Sequence, residues 1–331
     1  MALRTVGGEL SPVLALDIGG TKLAAGVVDS SGRVRSFHAA PSEPERGPQD
    51  GLARLFELGH RALADAGVEV AAVGIGCGGP LDSERGVLLA PLHLPGWRDV
   101  PVVARAGEAF GVPGALENDA TAAAAGEHRF GAGAGARHMV YLTLSTGVGG
   151  GVIVDGRLYR GAMGNGGELG HVTVDWEGRP CRGCGRRGCL EAYASGTSIG
   201  ERAAEALATG DHQSILAALE RPTAADVAAA ARDGDRLAVQ LWDETTAALA
   251  CGLTSIVNLF EPEVVVLGGG VTRAGEQLLG PVREEVEAHA LRPAGSPLAI
   301  RQSALGDHVG IVGAATIVYD RIASGLMLAH G

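Results

Sequence analysis

Two stretches of this chain follow one plan. Leu14-Ala15-Leu16-Asp17-Ile18-Gly19-Gly20-Thr21 and Tyr141-Leu142-Thr143-Leu144-Ser145-Thr146-Gly147 each run an apolar stretch into a turn bearing hydroxyl and glycine. A second apolar stretch follows each turn. A strand that enters such a turn and leaves it as another strand would begin an α/β domain. The echo is faint in residue identity, yet it calls for the same structural start twice. At 331 residues the chain is also long for one core, so two domains are expected. Two such loops facing each other could grip the two ends of a triphosphate.

Spacing of apolar residues predicts the other elements. Leu23–Val28 and Val34–Ala39 read as strands turning at Asp29-Ser30-Ser31-Gly32. A Pro-rich loop (41–50), a helix (about 51–66), a strand (70–76), a helix (101–110) and a short strand (114–117) follow. Ala120–Phe130 reads as a helix, and Met139–Leu144 and Gly151–Val154 as strands around a glycine turn. Residues 197–258 are mostly helical in pattern, and Val264–Leu267 is a strand ending in Gly268-Gly269-Gly270. A helix (275–289), a strand (297–301) and a last helix (309–326) close the chain.

Composition narrows the function classes. The net charge of −11 argues against a nucleic-acid surface, which needs a basic stripe. It leaves room for ATP, because a phosphate site is local and magnesium brings charge. No apolar run is long enough to span a bilayer, and the run at 12–16 is broken by Asp17 and two glycines, unlike a secretion signal. A cytoplasmic protein is expected. Of five cysteines, three fall within nine residues. In a reducing compartment that spacing suits metal better than disulfides.

Lysine occurs once, at Lys22; every other basic side chain that is always charged is arginine. Lys22 ends the turn Asp17-Ile18-Gly19-Gly20-Thr21-Lys22. Glycine amides with Thr21 and Lys22 suit phosphate oxygens, and Asp17 suits magnesium. The plainer alternative is a hairpin turn. His171 with Cys181-x-x-Cys184 and Cys189 supplies four ligands suited to tetrahedral zinc, against the alternative of a reactive cysteine cluster. A full ligand set implies a structural ion. Cys77 and Cys251 lie in apolar segments and read as core thiols.

Carboxylates stand in polar turns at Glu117-Asn118-Asp119, Glu168-Leu169-Gly170-His171 and Glu191. Asp119 follows a strand and precedes a helix. Local position favours capping of that helix; the functional alternative is a base at a strand end. Asn118 would then offer donor and acceptor to a pair of hydroxyls, as sugars require. Gly74-Ile75-Gly76-Cys77-Gly78-Gly79 matches a dinucleotide fingerprint in form only, since Pro80-Leu81-Asp82 stands where a helix should start. No Walker-type phosphate loop is present.

Together these motifs resemble the ROK (repressor, open reading frame, kinase) sugar kinases, and most closely their bacterial glucokinases. The resemblance implies an α/β, actin-like ATPase (ribonuclease-H-like) fold with two domains around a central cleft. It places residues 1–119 plus 309–331 in a small domain and 120–308 in a large one, with a zinc loop (171–191) and a helical segment (197–258). It implies Asp119 as the base that accepts the proton of a sugar 6-hydroxyl as the oxygen attacks Mg·ATP. Gly79, Asn118, Glu168, His171 and Glu191 look like the sugar ligands. Asp17, Gly19, Gly20, Thr21, Lys22, Thr146 and Gly147 look like phosphate and magnesium elements, and Gly268 and Gly269 resemble an adenosine-facing segment. His171 would serve twice, one ring nitrogen on zinc and the other toward the sugar, so that the ion organises the sugar ligands.

The chain departs from the family pattern twice. Two residues, Arg182 and Gly183, separate its first two cysteines where the family usually has one, and His93 stands where the family often has asparagine. The implied activity is that of an ATP-dependent kinase of glucokinase or hexokinase type. Other hexoses (N-acetylmannosamine, fructose, mannose) are sibling readings. A sugar-responsive repressor would carry a DNA-binding helical domain before the first phosphate loop, which this chain reaches by residue 17. A silent sugar-binding protein would not need Asp119 and Lys22. The resemblance further implies a homo-oligomer, dimer or tetramer, with no membrane or nucleic-acid partner.

Overall fold

The structure is a computed structural model that describes residues 5–6, 9–210, 213–293, 296 and 298–325. Parts of four expectations lie outside the described residues: positions 211–212 of the helical segment, position 297 of the predicted strand, position 326 of the last helix, and the extreme ends of the first domain. The chain forms two compact units, residues 1–135 with 160–165 and 304–331, and residues 136–159 with 166–303.

The five-stranded sheet of the first unit comprises β1 (Val13–Ile18), β2 (Lys22–Val28), β3 (Val34–Pro41), β4 (Val73–Cys77) and β5 (Gly114–Asn118). They lie in the order β3-β2-β1-β4-β5. β1 pairs antiparallel with β2, and β2 with β3; β4 runs parallel to β1, and β5 to β4. Helices α1 (Gly47–Ala66), α2 (Val102–Phe110) and α3 (Asp119–Phe130) follow their strands.

The second unit repeats the design. Its strands are β6 (Met139–Leu144), β7 (Val148–Val154), β8 (Arg157–Tyr159), β9 (Val264–Gly268) and β10 (Ala299–Gln302), in the order β8-β7-β6-β9-β10. Directions match those of the first sheet: two antiparallel pairs and then two parallel ones. The faint echo between residues 14–21 and 141–147 thus marks equivalent hairpins of two equivalent sheets. Helices α4 (Glu191–Ala194), α5 (Gly196–Ala208), α6 (Ala224–Arg232), α7 (Arg236–Phe260) and α8 (Glu276–His289) pack within this unit. The last helix, α9 (Val309–Ala323), returns to the first unit.

Local chemistry sets the helix starts. Thr223 and Asp226 close a capping box on α6, and Asp235 caps α7 through Ala238 N. Burial of continuous apolar runs holds the parallel strands. Val13, Leu14, Ala15 and Leu16 of β1 and all of β9 are buried, as expected where helices cover a sheet. α9 buries Ile311, Val312, Ile317, Val318 and Tyr319, each large aliphatic chain contributing roughly 1.5–3 kcal/mol of transfer free energy. α3 packs on α9, so it belongs with the first unit, whereas the boundary expected after residue 119 would have separated the two helices.

Cys77 is buried, as expected for a core thiol, but Cys251 is exposed. On α7 its neighbours Ala250 and Gly252 are buried. Adjacent helical positions point about 100° apart, so an apolar neighbourhood in sequence did not place Cys251 on the inner face. Among the described residues, no helix is long and apolar enough to cross a membrane.

Candidate active site

In the first unit, β1 delivers Asp17 and the hairpin to β2 closes with Gly19 N donating to Lys22 O (2.9 Å). Ser42 fixes the loop from the side: its N–H donates to Thr21 O (3.0 Å) and its hydroxyl to Gly20 O (2.6 Å). Loop carbonyls are thereby occupied, and Thr21 stays exposed. The Lys22 ammonium lies 5.8 Å from the centre of the Phe37 ring. Burial, then the neighbouring Asp119 carboxylate, pushes Asp17 up to about 7, with Lys22 opposing.

β5 ends at Asn118, and the cap of α3 is Asn118, not Asp119. Asn118 Oδ1 accepts from Thr121 N (3.1 Å). That assignment corrects two expectations. Asp119 is released from capping, and Asn118 has its oxygen engaged, leaving the Nδ2 donor for a ligand. Asp119 Oδ1 accepts from Ala120 N (2.8 Å), while a methyl built on Gly78 would come within 3.9 Å of Oδ2. Burial raises the Asp119 pKa; the Ala120 N–H and the nearby His93 work against it. Asn118 Nδ2 faces Gly79, whose carbonyl accepts from Leu92 N (3.2 Å).

Glu117, almost fully buried, anchors this corner. Its Oε1 accepts from Asn118 N (3.2 Å) and its Oε2 from Arg160 Nε (2.8 Å). Arg160 belongs to the short segment 160–165 that joins the first unit. Nothing in the sequence pattern linked Arg160 to Glu117.

In the second unit, His171, Cys181, Cys184 and Cys189 bring their ligand atoms within 4.8 Å of one another. Cys184 and Cys189 Sγ are 3.5 Å apart, and Cys181 Sγ lies 3.7 Å from His171 Nδ1. Tetrahedral zinc with bonds of roughly 2.0–2.3 Å needs ligand atoms about 3.4–3.8 Å apart, so the set fits that ion. Burial pushes the Cys181 thiol up to about 12, Glu191 adding to the effect against backbone amides. A bound dication is what would hold such a thiol as thiolate.

The same loop holds the expected sugar ligands. His171 Nδ1 faces the sulfurs, leaving Nε2, which lies 3.9 Å from Glu168 Oε2. Glu191 is bound at both oxygens: Val148 N donates to Oε2 (3.0 Å) and Cys181 Sγ to Oε1 (3.4 Å). Gly183, one of the two residues between the first cysteines, lies directly against these groups. A methyl built there would come within 2.6 Å of Glu191 Oε1 and 3.3 Å of His171 Cε1.

Beside the β6–β7 hairpin, whose turn closes with Ser145 N donating to Gly147 O (2.9 Å), lies a cavity of about 760 Å³. Ser145, Thr146, Thr197, Arg221, Arg232 and Gly270 are among its lining. The size is in the range of small-molecule sites. Thr146, expected among the phosphate elements, is in the lining. Gly147, Gly268 and Gly269 are not in the lining. Gly269, at φ +87°, would bring a methyl within 2.4 Å of Leu144 O, so its backbone packs against the end of β6. Arg221, Arg232 and Thr197 were missed, because the helical spacing of 197–258 says nothing of which ends meet the hairpin turn.

The profile of the ROK family matches residues 13–321. The chain belongs to the ROK family. Among family members, the glucokinase of Thermotoga maritima is 38% identical over 314 residues, 94% of this chain and 98% of that one. The crystal structure of the ROK hexokinase from Thermus thermophilus is 39% identical and covers 95% of this chain and all of that one, with a TM-score of 0.79. That of the ROK glucokinase from Streptomyces griseus, in complex with glucose and AMPPNP, is 36% identical over 92% of this chain and 98% of that one, with a TM-score of 0.78. The actin-like ATPase fold implied by the motifs is thus the fold of the chain.

Proposed function

We propose that this ROK protein is an ATP-dependent sugar kinase that phosphorylates glucose at its 6-hydroxyl. The observation that carries the reading is Asp119: a carboxylate held by burial above the ordinary aspartate range, freed from capping by Asn118, and close enough to Asp17 to disfavour the charge there. One of the pair suits a base and the other a cation ligand. Two such carboxylates favour a dication beside Asp17, and Mg²⁺ brought with ATP supplies charge neutralisation when bound.

Asp119 takes the proton of the sugar hydroxyl as its oxygen attacks the γ-phosphorus, while positioning and electrostatics supply most of the rate. Asn118 Nδ2 and the Gly79 backbone bind sugar hydroxyls, as do Glu168, His171 Nε2 and Glu191. Gly19, Gly20, Thr21, Lys22 and Gly147 belong to the phosphate elements, and the cavity beside Thr146 and Gly270 suits the nucleoside. Gly268 and Gly269 lead into Gly270 and belong to the adenosine-facing segment. His171, Cys181, Cys184 and Cys189 would hold a zinc ion, which would fix the imidazole and the Glu191 segment. Glucose as the substrate is supported by the relatives named glucokinase and by the glucose held in the Streptomyces griseus protein.

The test is a coupled ADP-release assay across a hexose panel, with Asp119→Asn beside the wild type. Glucose turnover by the wild type, and a loss of several orders of magnitude in kcat with glucose affinity near normal in the variant, are expected. Unchanged turnover in Asp119→Asn would remove the base from the reading.

A further inference from the structure

His93 is presented to the first unit's site by a segment pinned on several sides. Leu89 N and Ala90 N donate to Pro80 O (3.1 and 3.4 Å), and Leu92 N donates to Gly79 O (3.2 Å). Leu94 and Trp97 are buried, the Trp97 ring lying against Gly51 of α1. Between these anchors His93 lies on the phosphate loop: a methyl built on Gly20 would come within 2.7 Å of His93 Cβ and 3.2 Å of its carbonyl oxygen. The residue is exposed, and among the described residues its ring makes no hydrogen bond or ion pair. It also acts electrostatically on Asp119.

A phosphoryl group in transfer has to be within reach of the phosphate loop and of the hydroxyl that Asp119 activates. His93 touches the first and influences the second. Lys22, the cation that the sequence offered for this place, has its ammonium by Phe37. We propose that His93 is a further catalytic residue, whose ring N–H contacts an equatorial oxygen of the transferring phosphoryl group. This rests on the reading of Asp119 as base and of Gly19–Lys22 as phosphate loop. In the step, the bond from sugar oxygen to phosphorus forms as the bond from phosphorus to the nucleotide's bridging oxygen breaks. The hydroxyl proton goes to Asp119, and His93 keeps its own proton. Charge spread over the three equatorial oxygens is what a fixed donor there stabilises.

The experiment compares His93→Ala, His93→Leu, His93→Gln and Asp119→Asn with the wild type, using glucose and Mg·ATP at pH 8, with melting curves for each. His93→Ala should lower kcat about 10- to 100-fold with glucose KM changed less than about threefold, an exposed donor being worth less than an enclosed one. His93→Gln, which retains an N–H, should recover most of that loss at pH 8. His93→Leu, which keeps bulk but has no N–H, should fall with His93→Ala. A wild-type kcat in His93→Ala, a loss confined to KM, or no recovery in His93→Gln overturns the proposal. Should His93→Ala fail to fold, His93→Leu against His93→Gln decides in the same way. Turnover retained in Asp119→Asn defeats the underlying reading instead; an inactive Asp119→Asn beside an unimpaired His93→Ala defeats the His93 role alone.

Discussion

Gly310, in the first turn of α9, is remote in sequence from every motif, yet it touches the Asp17 carboxylate. A methyl added there would lie 2.3 Å from Asp17 Oδ2, 2.6 Å from its Cγ and 3.2 Å from Oδ1. Ordinary contact begins near 3.4 Å, so in Gly310→Ala the carboxylate has to retreat by about 1 Å. The effect on stability should be small. Alanine gains roughly 1 kcal/mol over glycine in a helix interior, less near an end, and an off-rotamer Asp17 costs about 0.5–1.5 kcal/mol. Displacement of a positioning group by about 1 Å can cost about 100-fold in rate, equivalent to about 2.7 kcal/mol of activation free energy. The expected result is therefore a melting temperature near wild type, a kcat for glucose down by about two orders of magnitude, and a raised Mg²⁺ requirement in the ADP-release assay. Because the damage runs through the carboxylate, Gly310→Ala should add little to Asp17→Ala in a double-mutant cycle. A kcat within twofold of wild type, or full additivity with Asp17→Ala, would refute the argument that α9 seats Asp17.

Three further outcomes are expected. Purified protein should carry one zinc per chain by elemental analysis, and its removal should raise the glucose KM at least about tenfold while leaving the ATP KM little changed; a metal-free, fully active protein contradicts the organising role of the ion. Since burial raises the Asp119 pKa and the base must be ionised, kcat/KM should fall on the acid side at a pH above about 4, the ordinary aspartate value, as protonation removes the base; a limb at or below that value counts against Asp119. Glu117→Gln should lower the melting temperature by the equivalent of about 1–3 kcal/mol, less than for a wholly buried pair because the Arg160 side chain is 37% exposed, and should reduce kcat through the Asn118–Asp119 corner; an unchanged melting curve would mean that the ion pair adds nothing.

Much of the fold was legible because strands and tight turns are local. The apolar run at Val13–Leu16 and its glycine turn became β1 and its hairpin, and the second such run became β6. The His/Cys cluster was legible because three of its four members share one short loop. The cap of α3 was misread by one residue, since Asn118 and Asp119 are both good capping residues and only backbone direction at the strand end selects between them. Cys251 was misread because apolar neighbours on a helix do not share its face.

By itself, then, the sequence determined the repeated α/β plan, the glycine turn after β1 and the gathering of Cys181, Cys184 and Cys189 in one loop, all governed by residues a few positions apart whose backbone preferences act locally. The tertiary structure alone decided that α9 seats Asp17 through Gly310, that Arg160 secures Glu117, that His93 lies on Gly20, and that Arg221 and Arg232 line a cavity with Thr146. Those pairings are between residues distant along the chain. They follow from close packing of sheets and helices, which is set by the whole core and leaves no trace in the spacing of any single segment.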